Sequence, residues 1–465
     1  MHNSAGVDCS DHEVNIKILL AKAVASGKLT EKKRNTLLAK MTEEVAQLVL
    51  EDNYHQALAM SFSSLRTTHY TGLYQVYLKE LEASGIVDRA VEFLPDDKEI
   101  LQRKAAQQGL TRPEVAVLLA YTKIHIKNEI LKSDLPEDDY FSKEIILEFP
   151  KLLRKDYKNY MKQHSLRREI IATQLSNQIV NEMGITFVYR ISVETGATIA
   201  EIIKAHAIAT RIFEAHTLEK FIESLGFKIS IDLQYELLHY VRMLLNLSTR
   251  WFLRSRYMKD DIEETIEHFA SRIKKVRSII PQLMVGSTKE YLDKLTEHFV
   301  ASGLSQEDAY NIAVYRALYI SLNIIEVSAA HQFDLLQTTK VYFEVGAKFN
   351  LVWFRDQIAT DSREGHWNSL ARLTLRDELD ALQKLLTIVI LKDQSKTADP
   401  VKLIDAWREK HIRAIERWDK ILELLHGSTN VEYSMFFIAL RELSDWVHTS
   451  QIIEKKLKKR VKNYL

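Results

Sequence analysis

The chain has 465 residues, 46% hydrophobic and 27% charged, an ordinary balance for a water-soluble globular protein. Its 64 Lys and Arg nearly cancel its 63 Asp and Glu, and the net charge of +1 offers no global field for nucleic acid or an anionic membrane. A single cysteine, Cys9, excludes an internal disulfide and fits a reducing compartment; no apolar run approaches the roughly 18–20 residues that span a bilayer, so the expected address is the cytoplasm.

The opening run Asn3-Ser4-Ala5-Gly6-Val7-Asp8-Cys9-Ser10 crowds small residues ahead of polar ones, as in a loop where backbone approaches a ligand closely. Ser10 or Asp11 reads as the N-cap of a first helix over about 11–26, with Glu13 in its first turn and Gly27 as its stop. Thr30 caps the next helix, expected to run to about Asp52. Its Leu37, Leu38, Met41, Val45, Leu48 and Val49 recur every three or four residues, the mark of one buried face. Tyr74, Tyr77, Leu78 and Leu81 form a further stripe that ends near Gly85. Thr111-Arg112-Pro113-Glu114 is a capping box with proline in the first turn, opening the helix through Val115 and Leu119. Thr198 with Glu201, and Ser305 with Asp308, repeat the signal at unequal intervals, so no fixed-period solenoid is indicated.

Ile185 to Tyr189 is β-branched and aromatic, but helical patterns flank it and no partner strand is apparent. It reads as a helix start after Gly184. Asp361 to Gly365 marks a boundary, beyond which three long helices are expected at about 366–393, 400–426 and 431–463. Short connections such as Gly427 to Asn430 make neighbours antiparallel. Only 13 Gly and 6 Pro are available for turns. The fold class expected is all-α: stacked helices ending in a bundle of long helices. The segments expected are 1–60, 61–361 and 362–465.

The run Asn3 to Ser10, followed by a helix, resembles the end of the nucleotide-binding domain of glutamate dehydrogenases. The string through Ile18 is similar to the version in the large bacterial NAD-specific enzymes. The resemblance continues through Leu37 to Val45, Glu92 to Asp97, Leu110 to Glu114, Arg167 to Thr173 and Gly184 to Arg190, and is faintest after about Asp393. It implies oxidative deamination of L-glutamate to 2-oxoglutarate and ammonia with NAD as cofactor. It places Asn3 beside the nicotinamide and its ribose, and Ser10 on the substrate side-chain carboxylate. The catalytic Lys and Asp of the family have no counterpart in this chain, so no catalytic residue is assigned. An upstream catalytic domain and a homo-oligomer are the partners implied, with residues 1–60 as the tail of the catalytic domain. Taken from the residues alone, Asn3 is a turn former and Ser10 a helix cap. The chain also departs from the compact enzymes by following the Ser with Asp11-His12-Glu13.

Other candidates weigh less. Cys9 lies near His12, but the carboxylates beside it oppose a thiolate, and it reads as a buried or spectator thiol. His12, His125, His206, His216, His331 and His366 show no metal-ligand spacing, so no metal is expected. Arg250 to Arg256 mixes basic and aromatic residues, as a single-strand binder would, but the near-zero net charge favours an amphipathic helix end with Trp251 and Phe252 in the core, and no nucleic-acid partner is expected. The cations of Lys455 to Arg460 belong at a helix C-terminus. No Gly-x-Gly-x-x-Gly follows a strand, and no alternating strand–helix pattern can build a dinucleotide fold. The expectation is therefore a C-terminal portion of the enzyme that is inactive alone and serves structure, assembly or regulation. The competing reading is a non-catalytic helical scaffold for protein partners.

Overall fold

The structure is a computed structural model and describes residues 2–259, 261–284, 287–360, 366–393, 399–428 and 432–462. Among these residues every regular element is helical. They form two compact units: residues 1–209 with 249–264, and residues 210–248 with 265–465.

The first unit begins with α1 (His2–Ala25), α2 (Glu31–Lys40) and α3 (Thr42–Arg66). Two local expectations need correction here. Helix α1 is already running at His2, so Ser10 sits in its middle, exposed, and neither Ser10 nor Asp11 is an N-cap. One exposed glycine costs a helix only about 1 kcal/mol relative to Ala, and the i, i+4 approach of Asp8 to His12 needs helical geometry. The helix expected from Thr30 to Asp52 is broken at Met41, whose side chain is buried and whose N–H turns to the Leu38 carbonyl. The Thr30 cap is present, accepting from the Lys33 N–H.

In α4 (Thr71–Ala83) the stripe Tyr74, Tyr77, Leu78 and Leu81 is buried, and Gly85 closes the turn at φ +67°. Asp96 caps α5 (Asp97–Ala105) by accepting from the Glu99 N–H at 2.7 Å. The capping box opens α6 (Arg112–Lys132): Glu114 accepts from the Thr111 N–H at 2.7 Å and takes Arg103 in a two-point clamp at 2.7 and 2.9 Å. Helix α6 packs on α3 and on the helix Arg167–Met183, while α1 packs on α3. The run after Gly184 is helical from Phe187 to Thr195, as expected, with Phe187, Val188 and Ile191 buried. Trp251 and Phe252 are core residues, Trp251 stacks on Tyr257, and the buried Arg250 faces Glu194. The aromatics of that basic segment are thereby committed to packing.

The second unit holds the terminal bundle. Helices Leu335–Lys348, Leu351–Thr360, His366–Lys392, Pro400–Lys410, Ile412–His426 and Tyr433–Lys462 enclose one apolar core from Val341 to Val447. Phe436, Leu440, Leu443 and Val447 line the buried face of the last helix. The expected helix over 400–426 is interrupted at His411. Trp407 and Trp446 contact the Phe349 ring, and Phe354 stacks on Trp418 at 5.6 Å. A groove of about 550 Å³ between the helix Ile320–His331 and the last helix is crossed by the Lys384–Glu326 ion pair at 2.8 Å. The expected boundary at 361–365, most of the Gly427 to Asn430 turn's far end and the side chains of Lys455 to Arg460 lie outside the described residues.

Candidate functional site

Helix α1 presents two different faces. One buries Ile16, Leu19, Leu20 and Ala23, and the same stripe continues toward the N-terminus through His12. The other carries the exposed Ser10, together with Val7 at 61% and Val14 at 46% exposure. Ser10 is thus on the open side of the helix. The Asn3 side chain lies outside the described residues. Cys9 is free and exposed rather than buried, which leaves the spectator reading.

His12 is the centre of a polar cluster that no spacing in the sequence predicts. Only 2% of it is exposed. Its Nδ1 stands 3.2 Å from a Glu148 carboxylate oxygen, and its Nε2 stands 3.7 Å from Asp52 and 4.0 Å from Asp8. None of these contacts has hydrogen-bond geometry, so both ring nitrogens are left without such a partner. Asp8 comes from α1, Asp52 from α3, and Glu148 from the turn after α7 (Glu144–Leu147). Gln174 donates to the Glu148 carboxylate. Lys123 approaches from α6.

Burial and charge pull in opposite directions across this cluster. Burial alone would lower His12, but Asp52, Glu148 and Asp8 outweigh it and raise the imidazole to about 9. Burial raises Glu148 to about 7, with His12 opposing and Asp52 adding to the rise. Asp8 rises to about 6, mainly by burial and then by the nearby Asp52 charge. Burial depresses Lys123 to about 8 against the pull of Asp52 and Asp8. Four groups with displaced protonation thus meet in one cluster, the kind of arrangement found at functional sites. The His12 Nε2 and one oxygen each from Asp8 and Asp52 lie within 4.8 Å of one another, close enough to share a cation.

The sequence reading missed this cluster for a plain reason. Asp8 and His12 are four residues apart, but Asp52 and Glu148 arrive from distant helices, and a motif search along the chain cannot see them. The only local signal was His12 falling on the apolar stripe of α1.

The fold is an all-helical body of two units, and among the described residues there is no strand and so no βαβ crevice of the kind that seats a dinucleotide. Residues 107–445 match the family described as "Glutamate dehydrogenase, C-terminal", and residues 1–63 match "Bacterial NAD-glutamate dehydrogenase, catalytic domain". The chain belongs to the glutamate dehydrogenase C-terminal family. Among its relatives is the NAD-specific glutamate dehydrogenase of Pseudomonas aeruginosa, 39% identical over 449 residues, which are 97% of this chain and 28% of the relative. The NAD-specific glutamate dehydrogenase of Halomonas elongata is 37% identical over 443 residues, covering 95% of this chain and 27% of the relative. That of Mycobacterium tuberculosis is 30% identical over 451 residues, with 97% and 28% coverage. The chain therefore spans little more than a quarter of the length of the curated relatives it matches. No single helix among the described residues is long and apolar enough to cross a membrane.

Proposed function

We propose that this chain works as the helical C-terminal portion of an NAD-dependent glutamate dehydrogenase. The whole enzyme would convert L-glutamate, NAD⁺ and water to 2-oxoglutarate, ammonia and NADH. The observation that carries this reading is the order of the two family matches: the first 63 residues match a catalytic domain, and the C-terminal family follows from residue 107. Coverage of 28% of the Pseudomonas aeruginosa relative supports a division in which hydride transfer belongs to the rest of the enzyme.

In this reading residues 1–60 form the tail of the catalytic domain, 61–361 a helical domain and 362–465 the terminal bundle. Asn3 faces the cofactor side, and Ser10 donates to the substrate side-chain carboxylate. Support for Ser10 comes from its place on the open face of α1, where the exposed Val7 and Val14 leave an apolar border for another body to cover. Hydride transfer needs substrate and nicotinamide held near contact, and a neutral donor on a rigid helix supplies such positioning. The remaining helices brace that core, carry subunit contacts in a cytoplasmic homo-oligomer, or regulate it. The isolated chain is inactive.

The test is Ser10→Ala in the assembled enzyme. Losing a hydrogen bond to a charged carboxylate, worth about 1.5–3 kcal/mol, lowers kcat/KM for glutamate by about 10- to 100-fold. An unchanged kcat/KM would remove Ser10 from the substrate site.

A further inference from the structure

We propose that Asp8, His12 and Asp52 form a binding site for one divalent transition-metal cation, with Glu148 orienting the His12 ring from behind. This site is independent of the dehydrogenase reading.

The geometry points to a cation rather than to a network of hydrogen bonds. His12 is 2% exposed and ringed by three carboxylates, yet neither ring nitrogen has a partner at hydrogen-bond geometry. Its Nε2 faces two carboxylates at 3.7 and 4.0 Å, beyond hydrogen-bonding reach. The second oxygen of Asp8 is likewise buried without a hydrogen-bond partner. Ligand atoms around a tetrahedral zinc ion, at bond lengths near 2.0–2.1 Å, sit roughly 3.3 Å apart. The three atoms here lie within 4.8 Å of one another, so contraction by rotamer shifts on the order of 1 Å closes the site.

The opposite side of the ring supplies the other half of the arrangement. Metal-bound histidines donate their second N–H to a carboxylate, which fixes tautomer and orientation. Glu148 lies 3.2 Å from Nδ1, a small ring rotation from accepting that proton, and Gln174 holds the carboxylate in turn. The carboxylates of Asp8, Asp52 and Glu148 all face the His12 ring, so oxygen donors for a cation are already gathered there. Asp8 and Asp52 side chains are 30% and 48% exposed, so an ion has a way in. One nitrogen and two oxygen donors suit Zn²⁺, Co²⁺ or Mn²⁺ rather than the soft Cu(I). A bound ion would tie α1 to α3 and fix the turn of α1 that carries Ser10.

The test is metal uptake by the full 465-residue chain, stripped with chelator and titrated with Zn²⁺, then with Co²⁺. Stoichiometry is read by elemental analysis after gel filtration, and coordination by the visible absorption of Co²⁺. Asp52→Asn should hold one equivalent fewer than the parent, with the Co²⁺ bands lost. Glu148→Gln should weaken binding about 10- to 100-fold. Asp52 is half exposed, so its variant is expected to fold, and far-UV circular dichroism checks this. A second readout is the His12 ¹⁵N resonance pair. On adding Zn²⁺, Nε2 should shift to the metal-bound range while Nδ1 stays protonated. Equal metal content in the parent and Asp52→Asn, or His12 remaining an imidazolium with both nitrogens protonated in the presence of Zn²⁺, would overturn the proposal.

Discussion

The buried ion pair of the second unit offers a quantitative test of how the terminal bundle is held together. Arg355, on the helix Leu351–Thr360, donates to Asp380 at 2.6 Å and to Gln383 at 3.1 Å, both on the helix His366–Lys392. Gln383 passes the network on, donating to the Tyr342 carbonyl at 2.9 Å. The side chains of Arg355 and Asp380 are 17% and 7% exposed. Asp380→Ala leaves the guanidinium without its carboxylate. Removing one partner of a buried pair costs about 3–5 kcal/mol, and the remaining exposure of Arg355 places the loss near about 3 kcal/mol. The double variant Arg355→Met with Asp380→Leu removes both charges, and its expected cost is near zero or reversed in sign.

Of the six tryptophans, Trp353, Trp407, Trp418 and Trp446 belong to or pack on the terminal core, so intrinsic fluorescence reports its unfolding. With a urea dependence of about 3 kcal/mol per molar for a unit of this size, Asp380→Ala should lower the fluorescence midpoint by about 1 M. Lys384→Ala breaks the more open Lys384–Glu326 pair and should move it by less than about a third of that. If Asp380→Ala and Lys384→Ala shift the midpoint equally, or the double variant is as unstable as the single one, the burial argument is wrong.

Further expectations concern the first unit. Burial would raise Glu114, but the Arg103 clamp and the Thr111 donors outweigh it and hold the carboxyl below its ordinary value. A depressed carboxyl stabilises above its unfolded pKa and loses that contribution as pH falls through the folded one. Glu114→Gln should therefore cost about 2 kcal/mol at pH 7 and progressively less below about pH 4.5, read by chemical denaturation across pH. A Cβ added at Gly109 would lie 2.5 Å from the Thr67 carbonyl carbon, a backbone atom that cannot swing aside. Gly109→Ala should destabilise by about 3 kcal/mol or more, whereas Gly72→Ala, whose Cβ meets only the Lys104 ammonium at 3.7 Å, should be nearly neutral in thermal melts.

Which features could be read from the sequence follows from the range of the forces involved. The caps at Thr30, Thr111 and Ser305 are side chain to backbone contacts over three residues, and each is present. The Thr198–Glu201 box is likewise present. Stripes such as Tyr74 to Leu81 and Phe436 to Val447 are periodic within one helix, and packing buried them as expected. Three misreadings have a common origin in longer-range packing. Met41 is drawn into the core and breaks a helix whose local pattern was continuous. His411 interrupts another, with its ring 4.5 Å from that of Trp407. The small residues before Ser10 suggested a loop, yet α1 runs through them. The His12 cluster was invisible because two of its carboxylates are supplied by segments 40 and 136 residues further along the chain, beyond any local spacing rule.

The proposed role of this chain is that of the C-terminal portion of a glutamate dehydrogenase, unable to transfer hydride by itself. Its most direct test is NADH formation at 340 nm from L-glutamate and NAD⁺. The purified chain is assayed alone, and again fused to the part of the Pseudomonas aeruginosa relative that lies outside the match. The account predicts no NADH from the chain alone and restored turnover in the fusion. Glutamate-dependent NADH from the chain alone, or a folded fusion with no turnover, would contradict it.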